Sequence, residues 1–336
     1  MPLYLILTIL AALVILANHA EGGSEGARRL LTAALLGVTV VFVAVYGFLP
    51  TQGTPFTLAL ALIIGGGAAL VIHPAVRVRL SRFFPVKGAA PNGEGFDPAS
   101  PLHLTALVFL ILLVGNSILT VALAGGLSGL AAQYTSPTGG STGLISPSAL
   151  LTQMGILIGI AALGVGFGTR RTLREVVARL GLRAPTFREV RASVNMAFFL
   201  FVIVYIAGTL WSLLTPTELL DEQTALSALI GEGIDTLVMA FFIALSAAVG
   251  EEIAFRGTLQ PVFGFFPTTL FFVAIHTQYT LTPAALIIFV AALGFAHLRR
   301  RYNTTTAIIC HFLYNYVPLA LLVYTRVALE LLQRYR

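Results

Sequence analysis

Six side chains capable of chemistry stand in otherwise apolar runs in the last third of this 336-residue chain. Glu251, Glu252 and Arg256 interrupt AFFIALSAAVGEEIAFRG, His276 ends FFVAIH, and His311 and Asn315 lie in AIICHFLYNYV. A carboxylate and a neutral imidazole can share and activate a water, which is general-base work. A second histidine and an asparagine amide can donate hydrogen bonds to the oxyanion formed when water attacks a peptide carbonyl. No activated serine or cysteine nucleophile is evident, so direct attack by water is the simplest scheme. Glutamate with two histidines is also a catalytic zinc ligand set. Glu251, His276 and His311 are the ligand candidates of that second scheme, although the HExxH spacing of most zinc proteases is absent.

Spacing sorts these residues. Glu252 and Arg256 are at i and i+4, so on a helix they pair on one face and offset part of each other's desolvation. Glu251 is rotated by about 100° and lacks that local partner. His311 and Asn315 are also at i and i+4 and point into the same space. At 1.5 Å per residue, Glu251 lies about 10 Å in from a helix end near Thr258, and His311 about 10 Å in from a start near Thr304. His276 lies about 13 Å in if its helix begins near Pro267. Three helices running in different directions therefore carry their polar residues to one level.

The elements that position them are membrane spans. Of all residues, 57% are hydrophobic and only 10% charged, with a mean hydropathy of +0.91. A soluble chain carries roughly a quarter charged residues, so the outer surface here must face something apolar. At about 20 residues per span, ten spans are expected, approximately over 3–18, 30–49, 55–73, 103–124, 149–168, 194–214, 234–258, 262–280, 283–298 and 304–325. The expected fold class is therefore all-α, a polytopic transmembrane helix bundle of about ten spans. The net charge of +6 is not a nucleic-acid footprint, because the basic residues sit in short clusters between apolar runs. Arg28/Arg29, Arg77/Arg79/Arg82/Lys87, the arginines from Arg170 to Arg191, Arg256 and Arg299/Arg300/Arg301 alternate with loops free of Lys and Arg. That alternation places the N-terminus outside, with Met1–Ala20 read as a retained first span. It leaves Arg326, Arg334 and Arg336 outside, so either the tail lies along an interface or the count is off by one there.

The remaining signals are secondary. Gly125 to Pro147, rich in Gly, Ser and Thr, reads as a flexible outer loop. Thr169 to Arg191 puts Leu173, Val176, Val177 and Leu180 on one face with arginines around it, a basic amphipathic helix on the inner leaflet. His73 and His103 sit at span ends beside prolines, and His297 beside Arg299 is interfacial. The single cysteine, Cys310, reads as packing. The division expected is an N-terminal transmembrane region over 1–193, with about five spans and the inner-face helix, and a catalytic bundle over 194–336.

In order along the chain, Glu251-Glu252-x-x-x-Arg256, Phe272-x-x-x-His276 and His311-x-x-x-Asn315 resemble the three-motif signature of the CAAX prenyl protease and bacteriocin-processing (CPBP, or ABI) family. The approach GFAHLRRRYNTTTAIICHFLYN is similar too, and the resemblance covers roughly Phe198 to Pro318. It implies a glutamate-dependent intramembrane endopeptidase in a prokaryotic plasma membrane, with its active site toward the cytoplasm. Carried over by motif, Glu251 and His276 activate the water and His311 and Asn315 form the oxyanion site. Glu252 and Arg256 become a supporting ion pair, and Phe272 packs so as to position His276. No cofactor is required on this scheme, and zinc belongs to the rival one. The expected partners are a peptide or protein substrate, membrane-associated or not, and the lipid bilayer. Two other classes stay open. A proton-coupled transporter uses intramembrane Glu/His chains as well, though no internal repeat is seen. A non-catalytic scaffold would keep the fold without the activity.

Overall fold

The structure, a computed structural model, describes residues 3–49, 53–85, 95–135, 146–217, 220–221, 233–276 and 285–334. Its regular elements are helices, with an isolated bridge between Phe167 and Arg171. The N-terminal half contains α1 (Leu3–Glu21), α2 (Glu25–Gly47), α3 (Pro55–Leu70), α4 (Pro74–Leu80), α5 (Pro101–Ala124), α6 (Leu127–Thr135) and α7 (Pro147–Gly164). A short α8 (Leu173–Arg179) leads into α9 (Phe187–Leu214). The C-terminal half runs through α10 (Leu237–Glu251), a π-helical segment (Glu252–Leu259), α11 (Gln260–Phe263), α12 (Phe265–Ala274), α13 (Ala285–Arg301) and α14 (Thr304–Arg334).

Helix starts follow one local rule. Thr54, Ser100 and Ser146 accept the first free backbone N–H groups through their hydroxyls, and a proline follows each of them at the first helical position. The hydroxyl satisfies an orphan donor, and proline has no N–H to orphan. Thr186 caps α9 the same way, with Glu189 completing a capping box.

Six helices are long and apolar enough to cross a membrane, with α10 through α11 taken as one. A seventh is added if α3 and the helical residues Pro74–Phe83 form one span, but these are bent by 94° to each other. The bend has a visible cause. Arg77 donates from Nε to the Pro98 carbonyl (2.6 Å) and from Nη1 to those of Val71 (3.2 Å) and Ile72 (2.6 Å). It thus caps the open C-terminus of α3. Ten spans were expected. Of the expected span 262–280, the described residues after Gly264 include the ten-residue α12, and 277–280 lie outside the described residues. That glycine adopts φ +88°, and an added Cβ would press on Pro85. The final helix, by contrast, runs unbroken for 31 residues. At about 46 Å it exceeds a ~30 Å hydrocarbon core, so its last turns, with Arg326 and Arg334, extend past the apolar layer.

The many apolar helices, with large side chains such as Val40 (67% exposed), Phe198 (68%) and Leu213 (75%) turned outward, make this an integral membrane protein. The core is continuous across the expected 193/194 boundary. α1, α2, α3 and α5 enclose Leu31, Leu35 and Val108, and Phe263 from α11 is buried in that same cluster against Phe84 and Phe96. α7 packs on α10 and the π segment, and α14 packs on α10 and α9.

Two loop expectations are corrected. The segment expected as a flexible loop from Gly125 to Pro147 contains α6, while residues 136–145 lie outside the described set. The expected amphipathic helix shrinks to the seven residues of α8. Val176 and Leu180 are buried against Ala161 and Ile253, whereas Leu173 (64%) and Val177 (38%) are exposed. The helix therefore docks on the bundle through half of the predicted face. At its start the backbone N–H and hydroxyl of Thr172 donate to Glu175 and hold that carboxyl below its usual range.

Candidate active site

The site is built where α10 changes its winding. Gly250 sits at the α10–α7 crossing, where an added Cβ would stand 3.0 Å from a Leu157 methyl and 3.4 Å from the Met154 Cα. Immediately after it, Glu252–Leu259 is π-helical. The Gln260 N–H bonds the Phe255 carbonyl five residues back, and the Thr258 hydroxyl donates to the Ile253 carbonyl. Such segments insert a residue into the helical ladder, and they concentrate at functional sites. Here the wider turn presents Glu251 and Glu252 to two different helices.

Glu252 and Arg256 are wholly buried, with Glu252 Oε2 3.4 Å from Arg256 Nε. The other carboxylate oxygen, Oε1, lies 2.9 Å from Nδ1 of His311 on α14. An ionised carboxylate only accepts, so Nδ1 carries the proton of this bond. The His311 ring is stacked on Phe295 of α13, with centroids 4.4 Å apart and planes 14° apart. Arg256 spreads over the face of Phe272, its Cζ 4.4 Å from the ring centroid, and donates to the Ala292 carbonyl at 3.2 Å. Gln260 donates to the Ala296 carbonyl, and Arg299 to the carbonyl of Arg256. The π segment is thereby fastened along α13.

Glu251 faces α12. Its Oε2 stands 4.0 Å from Nε2 of His276, and both side chains retain slightly under one-fifth exposure. Nδ1 of His276 is 2.7 Å from the Phe272 carbonyl. A carbonyl only accepts, so Nδ1 donates here and a neutral ring turns the Nε2 lone pair toward Glu251. Phe272 also packs its ring on His276, centroids 4.5 Å apart.

Of the residues singled out from the sequence, Glu251 and His276 form a pair, and Glu252, Arg256 and His311 form a group of three. Phe272 contacts members of both. Asn315 lies one turn beyond His311 on α14, half-buried, and its side chain makes no hydrogen bond among the described residues. Among the described residues no group of three or more His, Cys, Asp or Glu is gathered as a metal-ligand set. The Glu252–His311 pairing and the stacking residue Phe295 were missed in the sequence. Partners 59 residues apart leave no local periodicity, although Phe295 does stand in the approach to the last motif. His73 caps α4 and is exposed, and His297 is exposed. Cys310 is buried among apolar side chains of α9, α13 and α14.

Fold and site together define a polytopic membrane bundle with one buried and one partly exposed Glu–His pair beside a helix irregularity. Residues 233–317, about a quarter of the chain, match the family model of the type II CAAX prenyl endopeptidase Rce1-like proteins. The match spans all three motifs, bears out the resemblance read from them, and suggests intramembrane endopeptidase activity. No curated protein and no solved structure matches the chain.

Proposed function

We propose that this chain is an intramembrane endopeptidase in which Glu251 and His276 activate a water for attack on a peptide bond near the cytoplasmic face. The observation that carries the reading is the 4.0 Å separation of Glu251 Oε2 and His276 Nε2. Polar groups separated by more than about 3.5 Å are suited to bridging by water. A water held between a carboxylate and an imidazole lone pair donates to both and keeps its own lone pairs for the carbonyl carbon. The proton taken up by the pair then passes to the leaving amine as the tetrahedral intermediate collapses.

His311 and Asn315 are assigned to the oxyanion. Because Nδ1–H of His311 is given to Glu252, Nε2 donates only when the ring is an imidazolium. Glu252 orients that ring through Oε1 while its Oε2 faces Arg256. Glu252 is therefore a positioning residue in this scheme, more than a partner for Arg256 alone.

The scheme uses no cofactor. Zinc held by Glu251, His276 and His311 is the rival chemistry, and the engagement of His311 by Glu252 through Nδ1 leaves only Nε2 for such a role. The substrate is a peptide or protein, soluble or membrane-anchored, and the setting is a prokaryotic plasma membrane with the N-terminus outside. The test is incubation of the purified protein in liposomes with a peptide library, products read by mass spectrometry and metal content assayed in the same samples. Cleavage by metal-free protein supports the glutamate–water scheme, and cleavage that tracks stoichiometric zinc supports the metal scheme. Glu251-dependent solute uptake without any cleavage identifies a transporter instead.

A further inference from the structure

Glu252 fixes one corner of the His311 ring, and a single hydrogen bond does not fix a plane. Rotation about the line from Nδ1 to Oε1 keeps that 2.9 Å contact while it swings Nε2 through an arc. A donor that must meet an oxyanion at about 2.7–3.1 Å cannot be left to swing. The plane needs a second constraint.

Aromatic rings supply it. Phe295 of α13 lies face to face with His311, centroids 4.4 Å apart and planes 14° apart. Phe272 of α12 approaches the same ring edge-on, at 6.4 Å and 75°. A parallel ring in van der Waals contact resists tilting, because any tilt drives ring atoms into its face. His311 and Phe295 are 4% and 2% exposed, so neither has room to turn aside.

Phe295 is itself held from two directions. Tyr314 of α14 stands edge-on to it (5.7 Å, 72°) and is stacked in turn on Phe201 of α9 (5.7 Å, 16°). The neighbouring backbone is pinned as closely. A Cβ at Gly294 would come within 2.9 Å of a Leu200 methyl and 3.3 Å of the Met196 sulfur, both on α9. Glycine there lets α13 lie close against α9. A helix that carries none of the six residues singled out for chemistry thus helps to set the plane of His311.

We propose that Phe295 is a positioning residue, which together with Glu252 locks the His311 ring so that Nε2 is aimed at the oxyanion. The aim at an oxyanion rests on the proteolytic reading, and the lock on the ring does not.

The test pairs steady-state cleavage in liposomes with proton–carbon spectra of protein carrying isotope-labelled histidine. It compares the wild type with Phe295→Leu, Phe295→Met, Phe295→Tyr and Phe263→Leu. Phe263 is wholly buried in the separate cluster with Phe84 and Phe96, and controls for lost packing. The His311 ring signal, assigned by its absence in His311→Gln, should stand upfield in the wild type because it lies over an aromatic face. Phe295→Leu should lose that displacement and lower kcat roughly 10- to 100-fold with KM little changed, the scale expected for a misplaced catalytic group. Phe295→Tyr should restore both, and Phe263→Leu should alter neither. If Phe295→Leu does not fold, Phe295→Met, which fills irregular space without a flat face, takes its place. An upfield signal that persists in folded Phe295→Leu, a wild-type kcat in that variant, or an equal loss of kcat in Phe263→Leu would each overturn the proposal. A wild type that cleaves nothing would remove the protease reading instead, and the spectra alone would then decide the lock.

Discussion

Nδ1 of His311 stands 2.9 Å from Oε1 of Glu252, a side chain with no exposure that also faces Arg256. One buried carboxylate thus orients a histidine on one helix and neutralises an arginine one turn away. Replacing it by its amide keeps the volume but allows the wrong ring tautomer to be held. Glu252→Gln should lower kcat by roughly 10²–10⁴-fold with KM little changed, as loss of a histidine-orienting carboxylate does elsewhere. Glu252→Ala should also destabilise the fold by about 3–5 kcal/mol, because Arg256 is left as an uncompensated buried charge. Steady-state kinetics and thermal unfolding in the same detergent separate the two effects. Glu252→Gln with wild-type kcat would remove the orienting role.

The crossing of α10 and α7 depends on the absent side chain at Gly250. A Cβ there meets Leu157 at 3.0 Å and the Met154 backbone at 3.4 Å. Gly250→Val adds branched atoms to a contact that has no room and should cost about 1–3 kcal/mol by overpacking. Gly250→Ala should cost less, because only the Leu157 methyl must give way. The order of the melting temperatures, wild type above Ala above Val, is the readout.

Glu189 ties the base of α14 to the loop before α9. It is 3% exposed and accepts from Thr186 N–H (2.8 Å), the Thr186 hydroxyl (3.0 Å), Arg183 and Asn303 Nδ2 (2.8 Å). Asn303 in turn accepts from the Thr306 N–H and hydroxyl at the start of α14. Glu189→Ala removes an N-terminal cap and several charge-assisted bonds, with an expected loss of about 2–3 kcal/mol. Hydrogen exchange should rise first at residues 303–306, ahead of the helix body around His311.

Intramembrane polar residues were legible because apolar runs leave them conspicuous. Glu251, His276 and His311 stand out by type. What could not be read was who pairs with whom. The i, i+4 spacing of Glu252 and Arg256 suggested a self-contained pair, because that spacing assumes a regular α-helix. The π turn after Glu251 and the approach of α14 direct Glu252 toward His311 as well. Of the ten expected spans, six, or seven with the bent pair, are found among the described residues. Hydropathy marks residues 262–280 as one apolar run, but Gly264 interrupts it before α12, and 277–280 lie outside the described residues. The 94° bend after α3 depends on Arg77 reaching carbonyls of its own helix end and of Pro98, a contact no periodicity encodes.

The most direct test of the central claim is the rate of peptide cleavage by Glu251→Gln beside the wild type, both reconstituted in liposomes and matched for folding by thermal unfolding. Glu251 is partly exposed and 4.0 Å from its histidine, so the amide should fold normally. The account predicts that the variant loses at least about 10²-fold in kcat/KM, the range expected for removal of a general base. Cleavage at the wild-type rate by a folded Glu251→Gln protein would contradict it.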